Sequence, residues 1–207
     1  MSEDNNRRPI RARSSHWAQA AASALVRTSV TPNQISVASA IFASIGAAIL
    51  IASQQPVAFM ACALCIQLRL ICNLLDGMVA VEGGKKSVVG SLYNEFPDRV
   101  ADSVLIVALG YAAGMSWLGW LGALAAALTA YIRLFGGTLG FPQDFRGPMA
   151  KQHRMAVMTA GCLAAAVESH FGTMHWALAI AAAVIAAGSL VTCISRTLAI
   201  THQLKAG

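Results

Sequence analysis

Asn73-Leu-Leu-Asp76-Gly77-Met-Val-Ala80-Val81-Glu82-Gly-Gly-Lys85-Lys86-Ser-Val-Val-Gly90-Ser-Leu-Tyr-Asn94-Glu95-Phe-Pro-Asp98-Arg99-Val-Ala-Asp102 joins two apolar segments. It holds five of the chain's nine acidic residues: Asp76, Glu82, Glu95, Asp98 and Asp102. Charge at the mouth of membrane helices is costly, so its default explanation is a functional site. The stretch reads as a metal and phosphate site, and that reading requires the two flanking helices to face each other.

The flanks identify the solvent. Of the 207 residues 57% are hydrophobic and 12% charged, against roughly 25% charged in soluble domains. The chain reads as an all-α integral membrane protein. A spanning helix takes about 20 mostly apolar residues, so this length holds at most about six or seven spans and no separate soluble domain. The formal charge of +6 would suit nucleic acid in a soluble protein. Here it reflects Lys and Arg that flank membrane helices and meet anionic headgroups, and no nucleic-acid partner is expected.

Cys62, Cys65, Cys72, Cys162 and Cys193 all fall in apolar runs, where Cys behaves as a small hydrophobe and disulfides are not expected. Cys62 and Cys65 have metal-site spacing but no partner pair. Arg7, Arg8, Arg11 and Arg13 precede no short apolar core with a small-residue cleavage site, so the start does not read as a signal peptide.

Working outward from the acidic stretch, six spans are expected at 35–53, 56–80, 88–113, 117–136, 155–168 and 175–197, a six-helix bundle occupying 32–207. Residues 1–31 form a basic tail and an apolar-striped segment from His16 (Trp17, Ala20, Ala21, Leu25), either an interfacial amphipathic helix or an extension of the first span. Thr31-Pro32 supplies a helix start, with Thr31 as the cap and Pro32 in the first turn. Connections 54–55, 114–116 and 169–174 contain no Lys or Arg, whereas the alternate ones contain Lys85, Lys86, Arg146, Lys151 and Arg154. By the positive-inside rule a multi-pass protein of the cell membrane results, with both termini and the acidic stretch cytoplasmic. The fifth run is short unless its first turn includes Lys151 and Arg154, whose long side chains are then expected to reach back to the interface. Alanine-rich tracts at 123–130 and 177–188 favour close packing of helices through small residues.

On a helix, Arg69, Asn73 and Asp76 form one stripe, and Asn94, Asp98 and Asp102 form another. Their oxygens are hard ligands suited to Mg²⁺, Mn²⁺ or Ca²⁺. Divalent ions held by a few carboxylates usually complete their shell with substrate phosphates. Glycines at 77, 83, 84 and 90 let backbone approach a ligand. The residues alone therefore point to a divalent cation and a phosphorylated ligand.

These residues carry a resemblance. The CDP-alcohol phosphatidyltransferases have Asp, two residues, Asp-Gly, two residues, Ala-Arg, eight residues, Gly, three residues, Asp, three residues, Asp. This chain has Asn73, Asp76-Gly77, Ala80-Val81, Gly90, Asn94 and Asp98 with every spacing kept, and so resembles a class I member with Asn at two of the four motif aspartates and Val81 in place of the arginine. The Thr-Pro-Asn ending at Asn33 and the basic cluster of Lys151 and Arg154 are similar to that family as well.

The resemblance implies a metal-dependent transferase of phospholipid biosynthesis, with two Mg²⁺ or Mn²⁺ ions held by Asn73, Asp76, Asn94 and Asp98. A CDP-diacylglycerol or other CDP-alcohol donor would lie in a pocket shaped by Gly77, Ala80 and Gly90. Asp98 would deprotonate the alcohol acceptor as CMP leaves, and a homodimer in the bilayer is implied too. The two asparagines remove negative charge that attracts a dication, and Glu95 or Asp102 are candidates to compensate. Asp102 has the alternative of pairing with Arg99 or Arg69. Arg133, Lys151 and Arg154 are candidates for acceptor or phosphate binding, or else interface anchors. Two other readings stand beside this one: a catalytically inactive relative that binds nucleotide, lipid or a partner subunit, and a small transporter, although the acids gather at one membrane face.

Overall fold

The computed structural model describes residues 15–85, 87–172 and 176–206. The arginine-bearing tail before residue 15, Lys86 and the expected start of the last span at residue 175 lie outside the described residues. Every regular element among those described is a helix: α1 (His16–Val26), α2 (Pro32–Ala52), α3 (Pro56–Glu82), α4 (Gly90–Ala112), α5 (Ser116–Thr138), α6 (Lys151–His170) and α7 (Trp176–Ala206).

Each of the six runs expected from the sequence becomes one of the long helices α2–α7. Four of them, α2, α3, α5 and α7, are long and apolar enough to cross a membrane by length and composition. The charges explain why α4 and α6 fall outside that group, since α4 carries Glu95, Asp98, Arg99 and Asp102 in its first half and α6 begins with Lys151 and Arg154. The last helix runs to Ala206, nine residues past the expected end of its apolar run, about two and a half turns, of which 201–206 are exposed.

The start of α2 follows the residue types. The Thr31 hydroxyl accepts from the Gln34 backbone N–H at 3.2 Å and the Gln34 side chain accepts from the Thr31 N–H at 2.9 Å, a reciprocal cap with Pro32 in the first turn. α1 is a separate helix and not an extension of α2. Its Ala18 and Ala22 are fully buried in a small apolar cluster with Ile35, Leu74, Leu75, Met78 and Val79.

The main core lies between α2 and α7 and contains Leu50, Phe59, Ile66, Leu105, Ile106, Leu109, Met158 and Ile185, none of them exposed. Small residues set the helix separations. A Cβ on Gly110 of α4 would lie 2.5 Å from the backbone of Gly119 in α5, so only glycine permits that approach. In the loop between α5 and α6, Gly147 has φ +118° and lies directly on Thr192 of α7, a backbone conformation that favours glycine.

Candidate functional site

At the end of the bundle where α3 stops and α4 begins lies a cavity of about 630 Å³. Asn73, Asp76 and Gly77 of α3, Asn94, Glu95, Asp98 and Arg99 of α4, and Arg133 of α5 line it. Gln143 and Phe145 of the α5–α6 loop, Lys151 and Arg154 of α6, Arg196 of α7 and Trp17 of α1 complete the wall. The two oxygen-bearing stripes thus face a common space. Five cationic side chains and three carboxylates line it among the described residues, an excess of positive charge that suits an anionic ligand.

The α3 stripe is held in place from α2. Ser36 Oγ donates to Asp76 Oδ2 at 2.6 Å, and Ser39 Oγ donates to Asn73 Oδ1 at 2.9 Å. Ser36 and Ser39 are three residues apart on one face of their helix, and each is at most 5% exposed. Buried hydroxyls need partners, and in the sequence these two look like small packing residues. That is why the sequence reading missed them.

Carboxylates on α4 meet cations from three other helices. Asp98 accepts from the Lys151 ammonium and has Arg69 at 3.6 Å and Arg99 at 3.8 Å. One turn further, Asp102 is bridged by Arg69 at 2.5 Å and Arg154 at 2.9 Å, with side-chain exposures of 3%, 0% and 1%. Asp102 therefore lies beneath the cavity wall as the centre of a buried ion network, the pairing with Arg69 that was the alternative to a compensating role. Its partners are Arg69 and Arg154, and the expectation that Arg154 reaches out to the interface is corrected. An unpaired buried carboxylate would be too costly, so the arginine turns inward. It also donates to the Met149 carbonyl at 2.7 Å. Lys151 likewise turns to Asp98 rather than to headgroups.

Glu95 is likewise occupied, by Arg133 at 2.6 Å and Arg99 at 3.6 Å. The other prong of Arg133 donates to Gln143 at 2.5 Å, and its guanidinium lies 5.3 Å above the Phe145 ring. Of the three small residues expected to shape a nucleotide pocket, Gly77 lines the cavity while Ala80 and Gly90 are not on its wall. Arg196 was read only as a basic flank, yet it lies on the wall. It donates to the carbonyls of Thr129 at 2.6 Å and Arg146 at 3.0 Å, tying the loop to α5 and α7. An arginine within an otherwise apolar helix was the available signal.

The residues at the four motif positions fit a hard divalent cation. Two carboxylates and two side-chain amides line one cavity, and the buried Asn73 Nδ2 has no hydrogen-bond partner. Amide O and N are assigned by their surroundings. The half-turned amide would let Nδ2 donate to Ser39 and put a carbonyl oxygen where that orphaned nitrogen lies. Among the described residues no group of three or more His, Cys, Asp or Glu is arranged to hold a metal, so any site here depends on amide as well as carboxylate oxygens.

No family model matches the chain. Among curated proteins it is similar to the inner membrane protein YnbA of Escherichia coli (strain K12), 26% identical over 153 residues that make up 73% of this chain and 75% of that protein. Among solved structures it is similar to the phosphatidylinositol phosphate synthase PgsA1 of Mycobacterium tuberculosis. With CDP-DAG bound, that structure matches at a TM-score of 0.75 and 20% identity over 90% of this chain and 94% of the other. The complex with manganese and citrate matches at 0.73 and 20% identity over 88% of each. The likeness establishes the fold. With four apolar helices and an inner membrane relative, the chain is a multi-pass membrane protein.

Proposed function

We propose that this chain is a membrane phosphotransferase that moves a phosphatidyl group from CDP-diacylglycerol to an alcohol and releases CMP. The observation that carries this reading is the convergence of Asp76 and Asp98, from two helices, on one cavity with Asn73 and Asn94. The fold shared with a protein whose structure holds CDP-DAG supports it.

In this reading the acceptor hydroxyl oxygen attacks the phosphorus that bears the diacylglycerol, and the bond from that phosphorus to the oxygen of CMP breaks. The hydroxyl proton passes to the Asp98 carboxylate, a role that its position on the cavity wall supports. Asn73, Asp76, Asn94 and Asp98 would hold Mg²⁺ or Mn²⁺, which when bound supplies stabilisation to the attacking and leaving oxygens. Lys151, seated on Asp98, brings positive charge to the place where the donor's phosphates would lie. Ser36 and Ser39 orient the α3 ligands, and Gly77 leaves room for the donor. Six spans, a cytoplasmic cavity mouth and cytoplasmic termini belong to the same reading, supported by the distribution of Lys and Arg. So does a homodimer, on the resemblance alone.

The test is CMP release from CDP-diacylglycerol by the purified chain in detergent with Mg²⁺ or Mn²⁺, across a panel of alcohols. Metal- and acceptor-dependent release is expected, and a folded sample that releases none with any acceptor defeats the proposal. Asn73, Asn94 and Val81 favour a second reading, a relative that binds nucleotide or lipid without turning it over. An inactive wild type whose Asn73→Asp, Asn94→Asp double variant gains turnover would establish that one instead.

A further inference from the structure

Four of the five cations on the cavity wall are held by short contacts within the protein. Lys151 lies on Asp98, and Arg154 on Asp102 at 2.9 Å. Arg133 reaches Glu95 at 2.6 Å and Gln143 at 2.5 Å, and Arg196 reaches the Thr129 carbonyl at 2.6 Å. Arg99 is the exception. Among the described residues its one hydrogen bond runs from Nε to the backbone carbonyl of Glu95 at 3.4 Å, while Nη2 stands 3.6 Å from the Glu95 carboxylate and 3.8 Å from that of Asp98. Those last two distances are too long for hydrogen bonds. The Arg99 side chain is also the more open, 25% exposed against 10% for Arg133 and 1% for Arg154.

Neither neighbouring carboxylate depends on Arg99 for its counter-charge. Glu95 has Arg133, and Asp98 has Lys151 with Arg69 at 3.6 Å. A phosphate that drew the Arg99 guanidinium towards itself would leave both carboxylates paired, and the planar fork suits a phosphate's oxygens. The wall as a whole favours such a ligand. Its five cationic side chains against three carboxylates leave two positive charges, and a phosphate monoester carries close to two negative ones near pH 7. An uncharged polyol neutralises none of that surplus, and an amine adds to it.

Position along α4 indicates which phosphate is meant. Asn94 and Asp98 belong to the stripe where the transferase reading puts the metal ions and, with them, the donor's pyrophosphate. Arg99 is turned about 100° from Asp98, towards the side on which Glu95 meets Arg133 of α5. It stands next to the carboxylate that would take the acceptor's proton.

We propose that Arg99 binds the anionic end of the acceptor, and that the acceptor is an alcohol carrying a phosphate monoester. This rests on the transferase reading and adds to it the class of the second substrate and the residue that selects it. The ester passes through the reaction unchanged. The acceptor's free hydroxyl oxygen bonds to the phosphorus that bears the diacylglycerol, the bond from that phosphorus to the oxygen of CMP breaks, and the hydroxyl proton goes to Asp98.

The experiment measures CMP release by the full-length chain in detergent with CDP-diacylglycerol and Mn²⁺. Glycerol 3-phosphate and inositol 1-phosphate are compared with glycerol, myo-inositol, serine and ethanolamine. The phosphate esters are expected to give a kcat/KM roughly tenfold or more above the others, the scale of one charge-assisted hydrogen bond. In Arg99→Gln the KM for the ester is expected to rise about 10- to 100-fold while the KM for CDP-diacylglycerol stays near the wild-type value, a split that a merely structural role would not produce. Arg99→Lys keeps the charge without the fork and is expected to fall between the two. Wild-type preference for polyols or amines overturns the acceptor class, and an ester KM unchanged in a folded Arg99→Gln overturns the role of Arg99. A raised donor KM with an unchanged ester KM moves Arg99 to the donor's pyrophosphate and likewise overturns the proposal. Each of these leaves the transferase reading intact, whereas no release with any acceptor overturns both. Where Arg99→Gln does not fold, an ester KM in Arg99→Lys equal to that of the wild type overturns the assignment.

Discussion

Asp98 and Asp102 are the same residue type, one turn apart on the same face of α4, and they lie in different surroundings. Asp98 lies on the cavity wall beside Asn94, Glu95 and Lys151. Asp102 is 2% exposed and clamped between Arg69 and Arg154. About 6 Å of helix rise separates a carboxylate on the cavity wall from one beneath it. The pair shows that an intramembrane acid takes its character from its partners, which leave it facing a cavity or enclose it among buried cations.

That contrast can be broken in order of expected effect. Asp98→Asn removes the proposed proton acceptor and should lower CMP release by about 10²–10⁴-fold; because it also takes a carboxylate from Lys151, Arg69 and Arg99, it should lower the unfolding midpoint, though less than the change at Asp102. A variant that keeps its activity would remove Asp98 from the reaction. Asp102→Asn takes the carboxylate from Arg154 and leaves Arg69 only Asp98 at 3.6 Å, and should cost about 3–5 kcal/mol of stability, read as a lower unfolding midpoint in detergent. Unchanged stability with lost turnover would mean that the two aspartates had been assigned the wrong way round. Ser36→Ala sharpens the comparison, because it removes the hydroxyl at 2.6 Å from Asp76 and touches no substrate. Supporting groups of this kind typically alter metal affinity or activity by about 10- to 100-fold, so a titration with Mn²⁺ should show weaker binding while the protein melts near the wild-type temperature.

The parts of this architecture that depend on local order along the chain were legible in advance. The Thr31 cap needs only residues three apart, and apolar run lengths announced the six long helices. The stripe of Asn73 and Asp76 and that of Asn94 and Asp98 needed only helical periodicity to be placed on one face each. Choices between partners on different helices were not legible. Arg154 could reach outward to headgroups or inward to Asp102, and only the geometry of α4 against α6 makes the inward turn possible. Glu95 and Arg133 come from separate helices, with Gln143 from a loop, and nothing in their spacing predicts that they meet. Ser36 and Ser39 carry no signal that distinguishes them from the small residues membrane helices use for packing.

The backbone contact between Gly110 and Gly119 marks where the bundle is least tolerant of change. It lies about 18 Å further along α4 than Asp98 at 1.5 Å rise per residue, beyond the fully buried Leu105, Ile106 and Leu109, and a Cβ at either glycine would come within 3.0 Å of the opposite helix's backbone. Even a single methyl group there wedges α4 away from α5, so the spacing of the helix that carries Asn94 and Asp98 is set partly by two residues that have no side chain at all.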